Sequence, residues 1–205
     1  MIPIGVLASS YVAPAGGLSL SFISAHVSGA ANSFTVSGVN IGDASTSRSI
    51  IVCVGNDAGG GGWRNITGLT IGGVTATIDV TAHPQRLPTA IGRAAVPTGT
   101  TANITMSLSG VASALYIAIF RLDGAVAVSD TAIGSTSATV TGATGGVIIA
   151  SAAGDSAAGN TWTNLTEAWD TSKHSGGSTD ATGDVTISHT NSTFATMSAV
   201  AYAPA

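Results

Sequence analysis

The sequence predicts an all-β chain, an antiparallel β-sandwich, and three observations carry that reading. Short runs rich in Val, Ile and Thr recur along the whole length, and Gly, Asn, Asp and Pro punctuate them. No window combines the helical apolar period with capping residues. The 205 residues are 44% hydrophobic and 8% charged, with 27 glycines, 25 serines and 27 threonines. That composition is the reverse of a disordered chain and suits half-buried strands.

Taken in order, residues 1–17 read as an N-terminal arm, because Pro3, Pro14 and Gly16-Gly17 interrupt regular pairing. The sandwich then spans residues 18–205. Strands are expected near 18–25, 33–39, 48–54, 66–71, 74–80, 91–96, 102–108 and 114–122. Alternation is clearest in Ala102–Leu108, where Ile104, Met106 and Leu108 share one face. The run Ala114–Phe120 is apolar throughout, long enough for a buried strand and too short to span a bilayer. Asp123-Gly124 after it is a tight-hairpin signal. Further strands are expected near 125–128, 137–141, 147–152, 185–189 and 194–202. Between them Gly154–Gly183 is the longest polar segment, read as long loops at one end of the sandwich, where binding residues concentrate.

An internal repeat organises these elements, with copies at about 33–121 and 137–203. Trp63-Arg-Asn-Ile-Thr67 returns as Trp162-Thr-Asn-Leu-Thr166. Ser33–Gly38 parallels Ser137–Gly142, Ile51-Val-Cys-Val parallels Ile148-Ile-Ala-Ser, and Ile104–Ser107 parallels Val185–Ser188. No linker separates the halves, so the expectation is one pseudo-symmetric sandwich whose facing sheets come from the two copies.

Charge and chemistry narrow the role. A formal charge of −4 with six dispersed basic residues argues against a nucleic-acid surface. The first residues lack the basic region of a secretory signal, and the lone Cys53, inside Ile50–Val54, reads as a buried inert thiol. His26, His83, His174 and His189 are dispersed without metal-ligand spacing, and the loop aspartates form no calcium-loop run, so no metal and no cofactor are expected. Gly59–Gly62 lacks the Lys-Ser/Thr of a phosphate loop and reads as a hairpin tip. Gly154-Asp155-Ser156, with His83 and Asp123 or Asp130, mimics a protease order, but the spacing and flanks fit a turn instead. Four sequons, at Asn65, Asn103, Asn164 and Asn191, are close to what composition alone supplies. Trp63 and Trp162, being repeat equivalents, read as packing residues. Trp169 has no counterpart and is the first candidate for a partner contact, with Trp162, Asp170 and His174 beside it.

The motifs also carry a resemblance. Arg48-Ser-Ile-Ile-Val-Cys-Val, Ile66-Thr-Gly-Leu-Thr-Ile-Gly-Gly-Val-Thr, Val96-Pro-Thr-Gly-Thr-Thr-Ala-Asn-Ile-Thr-Met, Gly146-Val-Ile-Ile-Ala, Gly183-Asp-Val-Thr-Ile-Ser and the ending Ala199–Ala205 follow one another. Together, over roughly residues 30–205, they resemble a recurrent β-sandwich domain, jelly-roll or galactose-binding-like, of tailed-phage virion structural proteins and bacterial surface proteins. The resemblance implies architecture and no catalytic set. It implies a non-enzymatic virion protein assembled in the host cytoplasm, either a capsid decoration or accessory subunit or a tail or fibre subunit. Its partners would be other virion proteins and itself, a trimer being the expected homo-oligomer. The alternative is a carbohydrate-binding or adhesive module that meets host surface glycans through Trp162, Trp169, Asp170 and His174.

Overall fold

The computed structural model describes residues 17–59, 64–83, 87–154, 159–171, 173–190 and 196–205. Every regular element among them is a strand: β1 (Ser19–Val27), β2 (Ala31–Asn40), β3 (Arg48–Asp57), β4 (Ile66–Ile71), β5 (Val74–Thr75), β6 (Thr77–Ala82), β7 (Thr89–Ala95) and β8 (Thr101–Ala112). They are followed by β9 (Ala114–Asp123), β10 (Val126–Gly134), β11 (Ser137–Ala153), β12 (Trp162–Thr163), β13 (Thr166–Asp170), β14 (His174–His189) and β15 (Thr196–Pro204). All pairings are antiparallel, as the sandwich class requires. The expected arm falls outside the described residues apart from Gly17.

The strands build four layers. An outer sheet, ordered β2-β8-β4-β5, lies on an inner one ordered β1-β9-β3-β7-β6. Ile50, Val52, Val54, Ile117 and Ile119 point from the inner sheet into a core shared with Val36, Leu69, Ile71, Ile104 and Met106. The opposite face of the same inner sheet is also apolar. Ile51, Cys53, Phe120 and Leu122 meet Val147, Ile149, Val200 and Tyr202 of a second inner sheet. This is why β3 is buried at all ten positions and reads as a continuous apolar run rather than an alternation. The second inner sheet comprises β10, β15, the later half of β11, the earlier half of β14, and β13. On its far side, Val140 and Ile187 close a third core over Ile148, Ala150, Met197 and Ala199.

The repeat is now explicit, and each copy owns two sheets rather than one. Strands β1-β9-β3-β7 facing β2-β8-β4-β5 give eight antiparallel strands in two sheets, the jelly-roll arrangement. The second copy repeats it: β10 replaces β1, β15 replaces β9, β13 replaces β6, and β12 replaces β4. The early half of β11, residues 137–142, replaces β2, and its late half, 146–153, replaces β3. Likewise β14 replaces β7 and then β8. Register confirms the mapping. Thr35 pairs with Thr105 and Val36 with Ile104, as Thr139 pairs with Thr186 and Val140 with Val185. Both threonine pairs share a hydroxyl hydrogen bond, at 2.8 and 2.9 Å. The bulges repeat too: Phe22/Ser24 in β1 answers Val128/Asp130 in β10, and Ile78/Val80 in β6 answers Glu167/Trp169 in β13.

Three expectations change. The halves do not supply one sheet each; four layers replace two, because each copy closes its own core and buries the back of its inner sheet against the other. The parallel drawn between Ile51 and Ile148 is one residue out. Ile51 faces the central core and Ile148 the third core, whereas Val147 shares Ile51's orientation. A one-residue slip exchanges the faces of a strand, so apolarity alone cannot align two strands that are buried on both sides. Finally, Asp123-Gly124 makes no hairpin. β9 pairs with β1 and β3, β10 pairs with β15, and Gly124-Ala125 is the crossing from one copy to the other.

Candidate functional site

The segment 154–183, expected as loops, holds β12, β13 and half of β14. Ser175-Gly-Gly-Ser lacks the branched residues of a strand, and its pairing is imposed from both sides by β11 and β13. The glycines are required there: a Cβ at Gly176 would collide with the Ala150 carbonyl and with the Trp169 ring.

That packing decides the fate of the sequence candidates. Trp169 is 5% exposed, stacked on Phe22 (centroids 6.1 Å) and edge-on to Phe120 (5.7 Å) in the central core. His174 is 1% exposed, between Trp169, Tyr116 and the backbone of Gly55. Neither offers a face to a partner; both are cement between the copies. Burying an aromatic of this size is worth about 2–3 kcal/mol. Trp162 is half-buried on the third core, tilted on His189 at 5.1 Å, and its Nε1 donates to Ser175 Oγ at 3.3 Å. Asp170 is also half-buried and accepts from the Gly159 amide at 2.6 Å; burial raises its pKa and that hydrogen bond opposes the rise. Trp63 and Ser156 lie outside the described residues.

His174 and Ser151 stand 2.7 Å apart, Nε2 to Oγ, a spacing that invites a nucleophile-and-base reading. The hydrogen-bond directions reverse it. Trp169 Nε1–H can only donate, and it reaches His174 Nδ1 at 3.3 Å. Nδ1 is therefore the bare nitrogen, and Nε2 carries the proton that it donates to Ser151. An imidazole that donates to a hydroxyl cannot abstract its proton. Burial lowers the His174 pKa to about 3, so the ring is neutral at pH 7, and the fully buried Ser151 hydroxyl has no access to substrate. Nearby, Lys173 Nζ donates to Asp57 Oδ2 at 2.7 Å, tying the second copy to β3 of the first. Among the described residues no group of three or more His, Cys, Asp or Glu side chains is placed to hold a metal.

One open cavity, of about 200 Å³, lies between β1 and β13. Leu20, Phe22, Phe120 and Val147 form its apolar floor. Thr166, Ser178 and Asp180 stand on the same face of their sheet as Val147, whereas Glu167 and Thr179, in register with Ala150 and Ile148, border the cavity from the other face. Burial, reinforced by the charge of Asp170, raises the pKa of Glu167. Sequence reading did not single out this groove. Its available signal is the chain's sole glutamate two positions from a tryptophan, and only the bulge in β13 turns Glu167 and Trp169 to opposite uses.

The fold and these contacts define a duplicated jelly-roll sandwich whose copies are joined back to back by an aromatic and polar seam. Comparison of the chain with protein-family profiles, with curated proteins and with solved structures finds no match in any of the three.

Proposed function

We propose that the protein is a non-enzymatic structural subunit of a tailed-phage virion, a capsid decoration or accessory subunit or a tail or fibre component, acting through contacts with copies of itself and with other virion proteins. The observation that carries this reading is where the charge goes. Arg48 is enclosed by backbone carbonyls, Arg93 pairs with Asp79, Arg121 with Asp123, Lys173 with Asp57, and Arg64 bonds the Val111 carbonyl. Every described cation is thus turned to internal use. The outer sheets are left with ladders of Ser and Thr that are rich in hydrogen-bonding groups and carry little charge, Asp184 beside Thr141 being an exception. Such faces repel little and suit close packing in an assembly. The rigid four-layer body and the sequence resemblance support the same reading. The glycan-binding alternative keeps only Trp162 and Asp170 at partly exposed positions. Light scattering tests the proposal: a discrete oligomer, with a trimer expected, supports it. A strict monomer that is retained on host-surface glycans would overturn it in favour of the adhesive module.

A further inference from the structure

The two copies differ at one sheet edge. β2 and the early half of β11 are equivalent strands, and each is outermost in its outer sheet. In β8 the Asn103 carbonyl accepts from the Gly72 amide, on the β4 side. Alternate residues of a strand bond to the same side, so Thr105 and Ser107 also turn to β4. Their partners across the ladder, Thr35 and Ser33, therefore turn their own N–H and C=O groups away from β8, to the open edge. Among the described residues nothing accepts those two amides.

In the second copy the matching edge is blocked. Asp130, on β10, accepts from the Thr141 amide at 2.8 Å and sets a charge against the strand. The equivalent of Asp130 is Ser24, which hydrogen-bonds His26 Nε2 at 2.9 Å instead. The inward residue under the edge differs too: Ala138 is buried, whereas its counterpart Phe34 is left half-buried. Among the described strands the other edges are defended in ordinary ways. β5 and β12 are two residues long, β1 is bulged at its middle, and β6, β10 and β13 carry Asp79, Asp130 and Glu167. The bulges of β2 flank Ser33–Val36 without interrupting it, and Ala31–Asn40 has no charged side chain.

We propose that β2 is a self-association edge, pairing antiparallel with β2 of a second copy of this chain on a two-fold axis through Phe34. Ser33 of one chain then faces Thr35 of the other, and each such pair exchanges both main-chain hydrogen bonds. Phe34 meets the partner subunit's Phe34 in a non-hydrogen-bonded pair, where side chains stand closest, and the exposed part of each ring is covered. An isologous contact sets a strand against its own duplicate, so any charge on β2 would face its like. A neutral strand is what self-pairing requires, and it offers nothing to a charged partner. The proposal does not rest on the virion assignment. The two-fold alone yields a dimer, and combined with a three-fold contact elsewhere it yields a hexamer.

Light scattering of the full chain over a dilution series, with two proline variants, tests it. Thr35→Pro removes an outward amide of β2, and Thr139→Pro makes the equivalent change on the blocked edge. Proline suits both positions because neither N–H serves the ladder. Thr35→Pro is expected to halve the parent's mass, and Thr139→Pro to leave it unchanged. Amide exchange of the parent gives a reading that needs no variant. The Ser33 and Thr35 amides are expected to exchange at least about tenfold more slowly in concentrated than in dilute solution. A parent that is monomeric throughout, or exchange at Ser33 and Thr35 that ignores concentration, would overturn the proposal. A trimer whose mass survives Thr35→Pro would overturn it too, while leaving the reading as an assembly subunit intact.

Discussion

The two copies turn the same corners by different means. In the first, the chain leaves the outer sheet at Asn40 and enters the inner sheet at Arg48 through a separate loop, and β7 reaches β8 through another. Arg48, 1% exposed, holds both: its guanidinium donates to the carbonyls of Gly42 and Asp43 on one side and of Val96, Thr98 and Gly99 on the other. In the second copy both loops are gone. β11 and β14 run through the corner as continuous strands, shifted in register between Gly142 and Gly146. Gly145 (φ 73°) and Gly183 (φ 67°) supply the left-handed backbone that the bend demands, and a Cβ at Gly146 would strike the Tyr202 carbonyl. One topology is therefore reached once by a side chain that organises loops, and once by backbone that needs no organiser.

The sharpest way to break the symmetry is Arg48→Ala. It strips donors from five buried or half-buried carbonyls in the first copy and touches nothing equivalent in the second, so a loss of more than about 4 kcal/mol is expected. Urea denaturation followed separately by Trp162 and Trp169 fluorescence and by amide exchange in β2 and β8 would show the first copy opening first. A uniform, small loss would mean that the clamp is incidental.

The seam between the copies is tested by pH. His174 has its folded pKa lowered to about 3 by burial, below the ordinary 6.5. The unfolded chain then binds the extra proton as pH falls from 6.5 towards 3. The stability due to the neutral ring is complete above about pH 6.5 and declines below it, by at most about 1.4 kcal/mol per unit from this group. His26 and His189 are also lowered by burial and act in the same direction. His174→Gln is expected to flatten the slope of melting temperature against pH between 6 and 4; an unchanged slope would exonerate the seam.

The smallest effect is also the most direct check of equivalence. Thr35→Val and Thr139→Val each remove one exposed hydroxyl bond across an outer sheet. Each is expected to cost about 0.5 kcal/mol by thermal denaturation, and the two values to agree. A large difference would separate the outer sheets energetically despite their shared register.

Much of this was legible beforehand. The strand class and the duplication, with Ser33–Gly38 answering Ser137–Gly142, follow from residue type and period, because one face of an outer strand is wet and the other dry; which strand each pairs with was not legible. What escaped was the interior of the stack. A strand buried on both faces has no alternation, so the phase between Ile51 and Ile148 was lost. Ser175–Ser178 lacks every local strand preference and is a strand because two neighbours hold it. Trp169, in a polar segment and without a repeat partner, looks external; it is internal because Gly176 leaves room for its ring.

Gly124-Ala125 joins the copies with no slack, and that brevity has a consequence for durability. Two identical jelly rolls meeting back to back would be a dimer, and a dimer comes apart on dilution. Here the second half is held at a local concentration that dilution of the solution does not alter, so the pairing is a unimolecular property of the chain. Freed from the identity that a symmetric dimer imposes, the two sides of the seam can diverge. One lays Arg93 over the Tyr202 ring beside Asp79, and the other packs Trp169 on Phe22 and Phe120.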